Sequence, residues 1–372
     1  MKMSFETTQQ VLQDAVLQGQ VPGAVGGVWT SREPGRIWLC ARGKRRLVPS
    51  EQDLDAHTVF DLASLTKLFT SVLCARVVER GWLDWDTPVR AVLPGFQDHP
   101  ERPVLLRHLL AHSAGFVDWR PFWQALLARA GGTPEALAST SVRTRQKWMR
   151  EEVWAVKPDA LPGTRMVYSD LSFLNLGFVL EEVLGRSLDR AMREFVLDPM
   201  ELSDIGYRRV TQDVVAGREE SIAATENCLW RGGVVQGQAH DDNTWAMGGY
   251  AGHAGLFGTA RDLLLFSGRL LEGQFLAPKV LKALWTRVDE PAGSSRTLGW
   301  DTPSGAEPSA GALFSRNSVG HLGFTGVSLW VDLDASVAAV LLTNRVHPSR
   351  ENQAIRELRP RFHQALRSDL GF

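Results

Sequence analysis

Ser64 and Lys67 stand three residues apart in "DLASLTKLF", at the head of an apolar helical run. A serine hydroxyl attacks an acyl carbon only when a base takes its proton and preorganised donors receive the oxyanion. At a helix N-terminus, Ser64 has free backbone N–H groups around it and the positive end of the helix dipole beneath it. Lys67, at i+3, projects from the same face. Burial would depress its pKa and leave some neutral amine to act as base. The spacing suits a Ser–Lys nucleophile, although S-x-x-K also arises by chance in many chains. The helix is too apolar for a surface helix, and a buried lysine with no local acidic partner needs a reason.

Two further constellations could meet that lysine. Tyr168 and Asp170, in "MVYSDLSF", end a loop just before another apolar helix. His321 and Gly323, in "GHLGFTG", open the first strand of a C-terminal hairpin, where glycine lets a substrate backbone approach closely. Other polar residues have plainer readings. His112, in "LLAHSAG", reads as packing or capping a helix end, and His253, in "GYAGHAG", as a floor beneath a site or a tight turn. "AHDDN", 239–243, offers no second His or Cys at ligand spacing, which favours a loop with Asx-turn chemistry over a metal site. No G-x-S-x-G elbow and no phosphate-binding glycine loop occurs.

The elements that must position these residues follow from pattern. "VPGAVGGVWT" and "RIWLCARG" are β-leaning runs joined by the turn "SREPG"; "GFTGVSLWVD" and "ASVAAVLLTNR" flank "LDA" as a second hairpin. An amphipathic helix precedes the first hairpin, and another, from Glu351 to about Leu366, follows the second. Neither hairpin hides its apolar faces alone. The economical arrangement pairs both chain ends in one antiparallel sheet with flanking helices, an α+β fold. Leu329 and Trp330 are core by alternation. The middle, about 81–289, reads as mostly helical: "PVLLRHLLAHSAGF" is a helix closed near Gly115, "SDLSFLNLGFVLEEVLGRSL" stops at Gly185, and "TARDLLLFSGRLLEG" stops at Gly273.

Bulk properties narrow the function. The 372 residues are 44% hydrophobic and 22% charged, with a formal net charge of -1, so charge gives no reason to expect nucleic acid or an anionic membrane as partner. Thirteen Trp against 3 Tyr point to core and subdomain-interface packing. Cys40, Cys74 and Cys228 lie far apart without CxxC spacing, as small buried hydrophobes do. No stretch of about 18 apolar residues predicts a membrane span. The first residues lack the apolar run of a secretion signal, so a cytoplasmic location is expected.

Taken together and in order, Ser64-Leu-Thr-Lys67, Tyr168-Ser-Asp170 and His321-Leu-Gly323 resemble the penicillin-recognising serine hydrolases, whose S-x-x-K signature β-lactamases and penicillin-binding proteins share. The chain is most similar to the class C β-lactamase-related branch with its DD-peptidases and family VIII esterases. "VPGAVGGV", "LLRHLLAHSAGF", "MGGYAGHAGLFGTARDLLLF" and "LLTNRVHPSRENQAIRELRPRFHQAL" extend the likeness over about residues 10–367. The resemblance implies one β-lactamase/transpeptidase-like domain over 1–372. Its α/β part would be about 1–80 and 290–372, and its helical part about 81–289. It implies a cofactor-free, metal-free site where Ser64 forms an acyl-enzyme and Lys67 shares the base role with Tyr168. The N–H groups of Ser64 and Phe324 would form the oxyanion hole, with Asp170, His321 and Gly323 lining the cleft.

Two departures bear on substrate. Where the family often has Asn, which both accepts from the lysine and donates to the substrate's acyl amide, Asp170 only accepts when ionised. Where β-lactamases begin the third motif with Lys, a permanent charge for the substrate carboxylate, His321 is positive only near or below roughly pH 6.5. Both weaken the case for efficient β-lactam hydrolysis. The expected activity is esterase-like, on a small ester or D-amino-acid-type amide. The alternatives are a DD-carboxypeptidase or muropeptide-processing enzyme, a weak β-lactamase, and a non-catalytic binding or scaffold protein. Oligomeric state is not readable from the sequence.

Overall fold

The computed structural model describes residues 5–33, 35–210 and 221–371. Its strands in chain order are β1 (Gly23–Thr30), β2 (Ile37–Arg46), β3 (Gln52–Asp53), β4 (Phe60–Asp61), β5 (Gly206–Tyr207), β6 (Asn227–Cys228), β7 (Gly233–Val234), β8 (Leu256–Gly258), β9 (Val319–Leu322), β10 (Ser328–Asp332) and β11 (Val337–Thr343). Six of them form one antiparallel sheet in the order β3-β2-β1-β11-β10-β9. The ends of the chain meet at its centre, with Ala24 opposite Thr343 and Thr30 opposite Val337.

The central strands are apolar on both faces because both faces are covered. Every residue of β1, β10 and β11 is buried. The helices Glu6–Leu17 and Ile355–Asp369 pack on one face through Leu12, Ile355 and Phe362. The helix Ala260–Leu271 packs on the other. Gly26 permits the close approach on the first side, since a Cβ there would lie 2.5 Å from the Phe362 ring. Phe362 is fully buried; burial of such a side chain contributes roughly 1.5–3 kcal/mol. Cys40, Cys74 and Cys228 are buried free thiols. Among the described residues no helix is long and apolar enough to cross a membrane.

Local differences from the sequence reading have local causes. The helix expected through Gly115 spans only Leu106–Leu110, because His112 adopts φ 57° and turns the chain out of helix. The last helix starts at Ile355, not Glu351: Arg345 donates to the carbonyls of Arg350 and Asn352, and Asn352 receives the Ala354 N–H, holding 350–354 as a loop. His321 does not open a hairpin strand. It sits on β9, an edge strand of its own, and Gly323–Val327 forms the turn into β10.

Candidate active site

The nucleophile candidate sits on a tight corner. β4 runs into a 3-10 turn, Ala63–Leu65, and then into the helix Thr66–Glu79. Ala63 adopts φ 44°, in the left-handed region that costs an L-residue energy. Asp61 fastens this corner: its two carboxylate oxygens accept the N–H groups of Ala63, at 2.8 Å, and His240, at 2.7 Å. Burial pushes the Asp61 carboxyl above the usual range, opposed by those two amides. Its carbonyl receives the Thr325 hydroxyl at 2.8 Å, which ties the β9–β10 turn to the corner.

From the next helical turn, the fully buried Lys67 reaches back beneath Ser64. Its ammonium donates to Ser64 Oγ at 3.0 Å, to Asp170 Oδ1 at 2.8 Å and to the His253 carbonyl at 3.2 Å. Burial acts to discharge this lysine, but the Asp170 carboxylate, with Tyr168 beside it, outweighs burial and holds its pKa above the ordinary value. The expectation of a depressed lysine is therefore corrected: Lys67 rests as a charged ammonium. Its acidic partner is distant in sequence, and the helix Asp170–Leu184, capped by Ser169 and closed at Gly185 in the left-handed conformation, brings it in.

Tyr168 lies with its ring centroid 4.8 Å from Lys67 Nζ. His112 packs behind it, with ring centroids 4.6 Å apart, and accepts the Ser169 N–H at Nδ1. His321 flanks Tyr168 at 5.6 Å. Burial, with Arg296 and Lys67 nearby, drives the pKa values of both histidines well below the ordinary value. His321 is therefore a neutral imidazole, its Nδ1–H bonded to the Leu322 carbonyl at 2.7 Å. It supplies no positive charge at neutral pH.

The sequence reading missed the cation that does face this space. Arg296, in a loop without periodicity, lies over the Tyr168 ring at 5.2 Å and pairs with Asp301 at 3.4 Å. Gly323 is needed for a reason other than substrate approach: a Cβ there would lie 2.3 Å from Val327 Cγ2 and 2.9 Å from the Leu62 carbonyl. It lets the turn carrying Phe324 close onto the Ser64 corner. His253 proves to be a floor, since its carbonyl receives Lys67 and its Nε2 lies 2.9 Å from Asp241.

Asp170, Asp241 and His253 bring three metal-ligating atoms within 4.8 Å of one another. The ligating atoms already have partners among themselves and in Lys67: the ammonium sits on Asp170 Oδ1, and His253 Nε2 lies on Asp241 Oδ1. That cluster fits a lysine better than a divalent ion. Two cavities meet at Ser64, Tyr168 and Phe324, one of about 420 Å³ toward Asp118 and Asp241, the other of about 350 Å³ toward Arg296 and His321.

The Beta-lactamase family profile matches residues 8–361. The chain belongs to the β-lactamase family. A curated relative from Escherichia coli (strain K12), named "Putative D-alanyl-D-alanine carboxypeptidase", is 28% identical over 342 residues, 84% of this chain and 75% of the relative. Among solved structures, EstCE1, described as "a hydrolase with promiscuous acyltransferase activity", superposes with a TM-score of 0.71 at 23% identity over 95% of this chain and 98% of that one. The octameric penicillin-binding protein homologue from Pyrococcus abyssi gives 0.69 at 20% identity, over 96% and 77%. These structural likenesses establish the shared β-lactamase/transpeptidase-like fold.

Proposed function

We propose that this member of the β-lactamase family is an esterase-like serine hydrolase, acting through an acyl-enzyme on a small ester or D-amino-acid-type amide. The observation that carries the reading is one ammonium, Lys67, held by Asp170 at 2.8 Å and bonded to Ser64 Oγ at 3.0 Å. Once the Lys67–Tyr168 pair has given up one proton to solvent, Ser64 Oγ attacks the acyl carbon, its hydroxyl proton goes to the pair, and the pair passes a proton to the departing oxygen or nitrogen as its bond to the acyl carbon breaks. Water returns by the same route: its oxygen bonds to the acyl carbon, its proton goes to the pair, and the pair returns a proton to Ser64 Oγ as the acyl–Oγ bond breaks. The N–H groups of Ser64 and Phe324 receive the oxyanion.

A second reading, carboxypeptidase-like release of a carboxylate-bearing leaving group, draws support from Arg296. It offers a lasting positive charge beside Tyr168 where His321 offers none.

Mass spectrometry after exposure to a fluorophosphonate tests the common core. The expected result is an adduct on Ser64 and p-nitrophenyl acetate turnover that Ser64→Ala lowers at least about a thousandfold. No adduct, or a Ser64→Ala variant as active as wild type, would leave a non-catalytic binding protein. Release of D-alanine from a D-alanyl-D-alanine peptide separates the second reading from the first.

A further inference from the structure

The two cavities that meet at Ser64 differ in charge. On the side of Arg296 and His321 the wall carries Arg345, Arg356 and Arg359. The other wall carries four carboxylates, Asp118, Asp170, Asp241 and Asp242. Three of those four are already engaged. Asp170 holds Lys67; Asp242 pairs with Arg231 at 2.5 Å and faces Arg350 at 3.7 Å; Asp241 accepts from His253 and from the Thr244 N–H. Asp118 is different. It is exposed, its side chain accepts the N–H of its own neighbour Trp119, and among the described residues no cation pairs with it.

Two further observations point to what Asp118 meets. Trp119 lines the same cavity and is 43% exposed, ring surface left open beside an uncompensated carboxylate, whereas the ring of Phe324, also on the lining, already carries Arg345 at 4.5 Å and His240 at 5.6 Å. His253, 1% exposed on the cavity's lining, bonds Asp241 through Nε2, and its Nδ1 has no partner among the described residues. With Nε2 on the carboxylate, Nδ1 is the ring's remaining polar atom. This space therefore presents the Trp119 ring, a carboxylate and an unpartnered ring nitrogen. Such a lining suits a cationic group on a short apolar stem: the methylenes lie on the Trp119 ring and the ammonium meets the carboxylate.

We propose that the acyl half of the substrate carries a primary amine, bound as its ammonium at Asp118 beside Trp119. The proposal rests on the reading of Ser64 as nucleophile. It also takes the acidic cavity as the acyl side, because Asp170 lines that cavity alone while Arg296 and His321 line only the other. Asp118 is then a specificity residue, and a neutral or anionic acyl chain forfeits its pairing.

The test compares p-nitrophenyl 6-aminohexanoate with p-nitrophenyl heptanoate, chains of equal length ending in –NH3+ or –CH3. Wild type is expected to prefer the amine by roughly tenfold in kcat/KM. Asp118→Asn should bring that ratio close to one, and added salt should shrink the wild-type preference. Asp118→Lys should move the preference to the p-nitrophenyl monoester of adipic acid. Equal or faster turnover of heptanoate, with a ratio that neither Asp118 variant moves, overturns the amine proposal and leaves the serine-hydrolase reading standing. Failure of wild type to hydrolyse either ester, with no fluorophosphonate adduct at Ser64, overturns that reading itself.

Discussion

One guanidinium nitrogen of Arg359 lies 2.6 Å from the carbonyl oxygen of Gly323, the residue before Phe324. The same nitrogen reaches the Val327 carbonyl at 2.9 Å, and Arg345 Nε holds the Phe324 carbonyl at 2.8 Å. Two cations from the C-terminal segment thus clamp the turn that presents the Phe324 N–H. Burial, with Arg345 nearby, pulls the Arg359 pKa down to about 9, which leaves it charged at neutral pH. Arg359 is a positioning residue for the proposed oxyanion hole.

Arg359→Met should lower kcat by roughly 10–100-fold while changing KM little, as loss of oxyanion stabilisation does. Affinity for a boronic acid that mimics the tetrahedral state should fall in parallel, and Arg359→Lys should recover part of both. A variant that loses thermal stability but keeps wild-type kcat and boronate affinity would reduce Arg359 to a structural brace.

Asp170 governs the charge on Lys67, so Asp170→Asn changes proton transfer before it changes shape. Without the carboxylate, burial dominates and the Lys67 pKa falls. The ascending limb of the pH–kcat/KM profile should then move to lower pH. The new amide can also donate to an acyl amide, so penicillin acylation of Ser64 should rise by about tenfold. An unmoved limb would show that Lys67 does not set it.

Arg296 divides the two substrate readings. Arg296→Gln should cost roughly 10–100-fold in kcat/KM for a substrate whose leaving group ends in a carboxylate, through loss of a charged hydrogen bond of about 1.5–3 kcal/mol. A neutral p-nitrophenyl ester should lose far less. Equal losses on both substrates would argue that Arg296 only packs against Tyr168.

Stability should fall as the solution is acidified below about pH 6.5, the ordinary histidine value. His112, His321 and His363 are held neutral in the fold by burial, His363 with a pKa near about 3, while the unfolded chain takes up their protons. The unfolded state then binds more protons, so stability is present above the unfolded pKa and is lost as pH falls toward the folded one. Asp241 and Glu226, held low despite burial by His253 and His240 with Arg350, act with the same sign at lower pH; Asp61, Glu181 and Asp262, raised by burial, act with the opposite sign. His363, bonded to Ser328 Oγ, lies away from Ser64 and isolates the effect. His363→Gln should flatten the dependence of the urea midpoint on pH between 6.5 and 4.5; an unchanged slope would assign it to other groups.

The sheet was legible because apolar β-leaning runs bounded by turn residues, and terminal amphipathic helices, are local signals, and two hairpins at opposite ends leave few ways to bury their faces. Ser64, Lys67, Tyr168 and Asp170 were legible as motifs. Arg296, His112 and the Asp241–His253 pair were not, because each gains meaning only from a contact across the fold: Arg296 over Tyr168, His112 behind it, Asp241 against a histidine twelve residues on. For Lys67 two opposed expectations were legible, depression by burial and a charged form favoured by Asp170, 103 residues away; only the contact decides between them, for the second. Gly323 was read as leaving room for a substrate backbone, whereas the approach the fold makes there is that of Val327 and the Leu62 carbonyl.

The pairing of β1 with β11 bears on when the molecule becomes active. During synthesis, Ser64, Lys67, Tyr168 and Asp170 leave the ribosome well before Val337–Thr343, the strand that β1 needs on its inner side. Until that strand arrives, β1 and β10 cannot be joined in one sheet, and Arg345 and Arg359, which clamp the Phe324 turn from beyond it in sequence, are missing. Truncated chains ending before Val337 would carry Ser64, Lys67, Tyr168 and Asp170 without the clamped Phe324 turn, and are expected to show no ester turnover.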